Sequence, residues 1–506
     1  METLDPALQE LLQNPSADVA DLSGLYLSQL PDEVSKLTQL ERLNLENNAF
    51  VAFPSVLLSC QKLAVLDISD NALTKLPADF GDFRLLGWLD LSNNDLGNLP
   101  DSFGNLTHLG WLDLKSNSLT VLPATFSGLK NLQKLSLAYN QLAQFPPAIS
   151  QLSKLEFLSL ANNSLSELGD FSLLQGLKHL NLENNPLNNL HPSLFGLKNL
   201  QELDLTATNL SDLDPAIGEL NSLEWLDLSE NGLENLPAAL GKLDKLQFLD
   251  LHQNQLKGLP AELANLHNLL KINVEHNPLG ELPSVLLSLS RLEDLDLTAT
   301  QLKTLPETIG NLKRLRWLDL SDNDLTELPA NFAHLRALAW LDLNDNEFLN
   351  FPEVVCELEN LTDLYASRCG FSALSENIGQ LKNLKNLDAS DNVLTQLTAS
   401  IGQLKSLEWL NLERNKLQTL PSELGSLSQL LDLDLSDNQL THLPDSLENL
   451  NQLKSLDLSN NLFTEIPKCL FLLKNLQNLD LLDNQISNAE RERLRAALPN
   501  TNIVFE

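Results

Sequence analysis

The chain is short of cations. Among 506 residues, Lys and Arg number 33 against 68 Asp and Glu, a formal net charge of −35. Nucleic-acid binders and proteins docked on anionic lipid need a basic surface, so neither partner is expected. No uninterrupted apolar stretch reaches the length of about 18 residues that a membrane-crossing helix needs. Met1 to Pro15 lack both Lys and Arg and an apolar core, unlike a secretory leader. The four cysteines, Cys60, Cys356, Cys369 and Cys469, lie far apart and form no CxxC. Disulfide frameworks and zinc sites cluster theirs. These four read as reduced thiols of a cytoplasmic protein, with export by a route lacking a cleavable signal left open. Also missing are a Gly-rich phosphate loop, a GxSxG and an HExxH. No enzyme, cofactor or metal is expected.

What is present is one pattern, repeated. Leu86 to Pro100 reads LGWLDLSNNDLGNLP, and 23 residues on Leu109 to Pro123 reads LGWLDLKSNSLTVLP. Counting each unit from its Asn-type anchor places anchors at 48, 71, 94 and onward to 484. Of the nineteen steps, eighteen are 23 residues and one, Asn163 to Asn185, is 22. A weaker unit, Leu22 to Pro31, precedes them with Leu25 at the anchor. The LxL alternation predicts one short strand per unit with its leucines inward. No single unit buries them, so stacking must. The anchor amide suits a ladder to the turn backbone of neighbouring coils. Thr208, Thr300 and Cys369 replace it and offer fewer bonds. Pro after the fourth apolar position ends the extended path.

The spacing, together with forms such as Leu305 to Leu315 (LPETIGNLKRL), resembles the leucine-rich-repeat family, specifically the 23-residue intracellular and bacterial class that includes Ras-pathway scaffold repeats. The resemblance implies an α/β right-handed solenoid (horseshoe) with one parallel sheet on its concave face and short helical or irregular convex segments. The expected organisation is an N-terminal capping helix in 1–21, about 21 repeats forming a single solenoid domain in 22–486, and a C-terminal cap in 487–506. Nothing is left over for a kinase, GTPase or ligase domain. The segments ENNP and EHNP at 183 and 275, and TAT at 206 and 298, recur 92 residues apart, a trace of block duplication.

Residues six, four and two before each anchor are expected to face away from the core. Six before stand all six tryptophans, Trp88, Trp111, Trp225, Trp317, Trp340 and Trp409, with Phe157 and Phe248 in the same column. Either these rings bind a ligand or they stack across the sheet and stiffen it. Four before the anchor, Asp fills thirteen of twenty places, among them Asp319, Asp342 and Asp388. Like charges on adjacent strands repel, so a cation would relieve them. The pattern breaks twice. Near anchors 140 to 185, Ser136, Ser159 and Asn181 replace Asp, close to Lys134, Tyr139, Phe157 and His179. At anchor 369, Tyr365 replaces Asp, Ala366 replaces a core leucine, and Arg368 follows.

The residues expected to touch a partner are therefore the eight rings with Asp319, Asp342, Tyr365 and Arg368. The reading is a non-enzymatic interaction module or scaffold for an elongated, basic protein or peptide, held by cation–π contact and counter-charge. A carbohydrate or peptidoglycan-fragment receptor using the aromatic row is the alternative, and a secreted bacterial effector acting by binding another. His252, Glu275 and His276 are a chance pairing rather than a zinc set. A flat Asp ladder converges poorly on calcium.

Overall fold

The computed structural model describes residues 5–505, and the ends of the two expected capping segments, residues 1–4 and 506, lie outside them. The chain forms two compact units that divide after Gln255. In the first, eleven three-residue strands from Val19–Asp21 to Phe248–Asp250 pair in parallel, each with the next in sequence. In the second, eleven more do so from Lys271–Asn273 to Asn502–Val504. The register aligns equivalent positions: Trp317 pairs with Trp340, Leu318 with Leu341 and Asp319 with Asp342. The first strand lies inside the segment expected to be a cap, so the first coil begins before Leu22.

The expected repeat and solenoid are the structure that forms. The two leucines flanking each Asp are buried, Leu318 and Leu320 completely. Behind each strand the chain returns through a short 3-10 turn, such as Glu307–Asn311. Gly310 is required there, because a Cβ would stand 2.3 Å from the Asn331 carbonyl oxygen one coil on. The single 22-residue coil, between the Phe157–Ser159 and His179–Asn181 strands, omits that turn. At the chain's start, Asp5 caps the helix Pro6–Gln13, which buries Leu8. Towards its end the helix Asn488–Ala497 buries Leu494, and Arg491 and Arg495 lie over the Phe505 ring.

Asn323 illustrates the anchor. Its Nδ2 donates to the carbonyls of Leu297, Leu320 and Ser321 at 2.9–3.0 Å. Its Oδ1 accepts from the N–H of Leu302 in the preceding coil at 2.9 Å. One side chain thus satisfies backbone in two coils. Asn94, Asn231, Asn392 and Asn438 do likewise. Where the anchor is Thr, its successor compensates: Asn323 Oδ1 also accepts from the N–H and Oγ1 of Thr300, and Asn231 does the same for Thr208.

Two backbone features escaped the pattern. The residue one before every anchor, from Gly24 to Asp483, is left-handed, with φ between 50 and 68°. After each non-Asn anchor a second left-handed residue follows: Tyr26, Asn209, Gln301 and Gly370. The 92-residue duplication therefore has local consequences. Pro186 and Pro278 follow their anchors, and the turns they start hand an N–H from Asn188 and Gly280 to the backbone carbonyls of Thr208 and Thr300. The NP coil and the TAT coil are built for each other.

Asn323→Ala is expected to destabilise the protein more than Asn346→Ala. Asn323 Oδ1 serves three donors, whereas Asn346 Oδ1 serves one, the N–H of Leu325. Each buried group left unpaired costs about 1–3 kcal/mol. Parallel melting curves decide it, and equal losses would count against the ladder as described.

Candidate functional site

The solvent face of each sheet carries two full columns and a third that is open only in places, as at Lys115. Residues six and four before the anchor lie on it, as expected, most of them half-buried, with Lys134 and Lys271 exposed and Ser159 and Asp250 buried. Where the residue two before is Ser it is mostly withdrawn: Ser69, Ser92, Ser229, Ser390, Ser436 and Ser459 are buried. Each lies under the Asp two residues earlier, whose Oδ1 accepts its N–H; for Ser92 the distances are 2.9 Å to the N–H and 2.6 Å to the hydroxyl. A local turn thus uses the Asp column. Asn44, Asn181, Asn273 and Asn411 make the same bond where Asp is replaced. The turn uses the oxygen and not the charge.

That charge is held at a cost. Burial pushes Asp342 up to about 7, with the Asp319 and Asp388 carboxylates adding to the push against the Asn344 N–H. Burial likewise pushes Asp90 and Asp296 up to about 6, despite bonds from Ser92 and Thr298. Asp204, Asp227 and Asp434 are raised for the same reason. Part of the remaining acidity belongs to the left-handed residue before the anchor, where Asp and Asn tolerate positive φ, as at Asp322, Asp391 and Asp437.

The rings stack in pairs. Trp88 lies on Trp111 at 4.4 Å and 5°, Trp225 on Phe248 at 5.2 Å and 4°, and Trp317 on Trp340 at 4.5 Å and 12°. All eight are half-buried. In the second unit Tyr365 tilts against Trp340 on one side, at 5.5 Å, and Trp409 on the other, at 6.5 Å. It fills the interval between them. Asp319 and Asp342 lie in the strands of the Trp317–Trp340 pair, so one row holds stacked rings and paired acids together. Arg368 does not present a free cation. Its guanidinium grips Asp345 with two bonds, at 2.5 and 2.6 Å. The neighbouring Cys369 thiol is buried on the Leu343 and Ser367 carbonyls.

The first unit contains what the residue columns only hinted at. Where Ser136 and Ser159 replace Asp, a cavity of about 510 Å³ opens on the sheet face. Trp111 and Phe157 wall it, and Ser136, Ala138, Ser159 and Ala161 form its floor. Lys115, missed in the sequence, lines it and extends its ammonium over the Tyr139 ring at 5.3 Å. Its signal was two adjacent strands with small residues both four and two before the anchor. His252 is turned to Asp250 at 2.8 Å, and His276 to Glu275 at 3.0 Å.

The family described as "Leucine-rich repeat region" matches residues 57–214, 285–399 and 372–500, and "Leucine rich repeat" matches 222–279. No curated protein matches the chain. Among solved structures, the plant peptide hormone receptor RGFR1 in complex with RGF2 is 28% identical over 98% of this chain and 82% of its own, with a TM-score of 0.69. YopM from Yersinia enterocolitica is 26% identical over 99% and 93%, at 0.62. The Arabidopsis receptor kinase HAESA, in complex with the peptide hormone IDA and a co-receptor, is 28% identical over 97% and 91%, at 0.58. Among the described residues no helix is long and apolar enough to cross a membrane.

Two outcomes follow from this geometry. A carboxyl group raised in the folded state stabilises fully below its unfolded value, near 4, and that stability is lost as pH rises through its folded value. For Asp342, Asp296 and Asp90 the window runs from about pH 4 to 7. The melting temperature should therefore be higher at pH 5.5 than at pH 8, and Asp342→Asn should raise it at pH 8 and flatten the profile. A profile that climbs with pH would refute this. Separately, a double-mutant cycle on Trp317→Ala and Trp340→Ala should return about 0.5–1.5 kcal/mol of coupling from the stack. Additive losses would mean that the rings do not support one another.

Proposed function

Because the chain belongs to the leucine-rich-repeat family, we propose that it is a non-enzymatic binding module whose sheet face docks an elongated polypeptide rich in Lys and Arg. The observation that carries this reading is the in-register row Asp296, Asp319 and Asp342 beside the Trp317–Trp340 stack. The fold needs only an amide-type oxygen at those positions, and Asn supplies it elsewhere. The carboxylates are kept although burial penalises them, and a partner's cation is what would relieve that penalty. Lys271 already pairs with Asp294 one strand on, an internal instance of the proposed contact. Trp317 is stacked on one side only, leaving a ring for a partner's guanidinium. The solved relatives bound to RGF2 and IDA are receptors for peptide hormones, which supports an extended peptide as the occupant. Four buried, unpaired cysteines support a reducing, cytoplasmic compartment. A secreted bacterial effector acting through the same docking is the alternative, in keeping with the likeness to a protein of the bacterium Yersinia enterocolitica.

A second reading, a sugar receptor, draws on the aromatic-walled cavity of the first unit. Salt separates the two, because sugar stacking carries no net charge.

Calorimetric titration with a Lys/Arg-rich peptide of about twelve residues tests the docking. Affinity should fall at least tenfold between low and high salt. Docked cations would draw protons off Asp342, so affinity should rise from pH 5.5 to pH 8. Replacing Asp319, Asp342 and Asp388 by Asn should weaken binding at least tenfold, whereas Glu359, Glu423 and Glu448 to Gln should leave it unchanged. Equal effects of the two triples would reduce the acidic face to a solubility device.

A further inference from the structure

The two breaks in the acidic row are built from the same parts and end differently. In the second unit Trp340 is followed, one strand on, by Tyr365 four before its anchor, and that ring leans between Trp340 and Trp409. In the first unit Trp111 is followed by Ser136 at the equivalent place, and the next ring in the column is Phe157. No ring of the chain's own leans into that interval; the exposed Lys134 stands in it, and the cavity of about 510 Å³ opens there over Ser136 and Ser159.

The geometry of the walls says what fits. Trp88 covers one face of Trp111 at 4.4 Å, nearly parallel, so the opposite face is turned to the next strand, where Lys134 stands. Phe157 stands one strand further. Adjacent strands are about 4.8 Å apart, so Trp111 and Phe157 are set about 9.5 Å apart across the sheet. A planar group in van der Waals contact with both needs about 7–8 Å. The interval accepts one ring and no second. Lys134 is exposed and Ser136, Ala138, Ser159 and Ala161 are too small to obstruct it.

Charge narrows the occupant further. Lys115 follows the Trp111 strand and Lys134 stands on the strand between Trp111 and Phe157, and among the described residues neither ammonium is ion-paired. Glu183 lines the opposite side, on the far strand. Asp113 is engaged by the Lys115 N–H at 2.7 Å. The slot is thus cationic from the Trp111 strand to its middle, on a face that is otherwise acidic, and it is continuous with that face.

We propose that this slot takes an aromatic side chain of the docked polypeptide, inserted between Trp111 and Phe157, with an adjacent acidic residue of that polypeptide on Lys115 and Lys134. The inference rests on polypeptide docking along the sheet face and adds a fixed register to it.

Calorimetry with unlabelled peptides tests it, since common dyes are themselves anionic rings. The probe is a six-residue peptide containing one tryptophan beside one glutamate. Replacing its tryptophan by alanine, or its glutamate by lysine, should weaken binding at least tenfold. Ser136→Tyr, which copies the arrangement at Tyr365, should abolish binding by filling the slot. Lys134→Glu, at an exposed position, should weaken it at least fivefold without touching the floor. Wild-type affinity in both variants overturns the proposal. So does N-acetyltryptophan binding as tightly as the peptide, which would make the occupant a small molecule. So, too, does binding of N-acetylglucosamine tetramer in place of the peptide. The Lys/Arg-rich peptide serves as the separate arm: if it still binds the Ser136→Tyr variant while the aromatic probe never binds the wild type, only the slot fails. If the aromatic probe binds and the basic one does not, only the acidic docking fails.

Discussion

Within each unit, a coil with an Asn anchor is tied to the one before it by that single carboxamide. The anchor Asn donates to a carbonyl 26 residues earlier and accepts an N–H from 21 residues earlier, while also closing its own turn, as at Asn117. These offsets are what hold the repeat to its length. In the 22-residue coil both shrink by one, to 25 and 20 at Asn185, and the same bonds form. The lost residue comes out of the return path behind the sheet, where this coil has no 3-10 turn. Leucine burial drives the stacking, but it is directionless. The ladder supplies the register that places Trp on Trp and Asp on Asp.

That register also explains why the face is under electrostatic load. Alignment of identical positions puts carboxylate beside carboxylate along the sheet, partly withdrawn from water. The fold has a neutral solution at hand in Asn, and uses it at four strands. Asp elsewhere is therefore an addition to the architecture, opposed by desolvation and by its neighbours. Such an arrangement is held in each unit by the hydrophobic core behind it, and in the proposed docking a partner brings cations to it.

The aromatic column answers to the same alignment. Where two rings fall on adjacent strands they cover each other and act mainly on the sheet. Where the sequence of rings is interrupted, the outcome depends on what stands four before the anchor. Tyr365 closes one interval from within the chain; Ser136 leaves the other open. Stiffening and binding are therefore not rival roles for the whole column. In the proposed docking they belong to different stretches of it, set apart by one side chain.

The sequence by itself determined the repeat, the strand in each unit, the inward leucines, the helices near both ends and the column of tryptophans. All of these follow from spacing along the chain, which periodicity reports directly. Only the tertiary structure decided the left-handed residue before each anchor, the second one after Leu25, Thr208, Thr300 and Cys369, and the withdrawal of the serines beneath their aspartates. It also decided that Arg368 is held by Asp345 and that a cavity opens over Ser136 and Ser159. The physical reason is common to them. A backbone torsion is chosen by which hydrogen bonds the neighbouring coil offers, and a side chain's freedom by what stands one strand away. Those neighbours are 23 residues distant in sequence and about 5 Å distant in space.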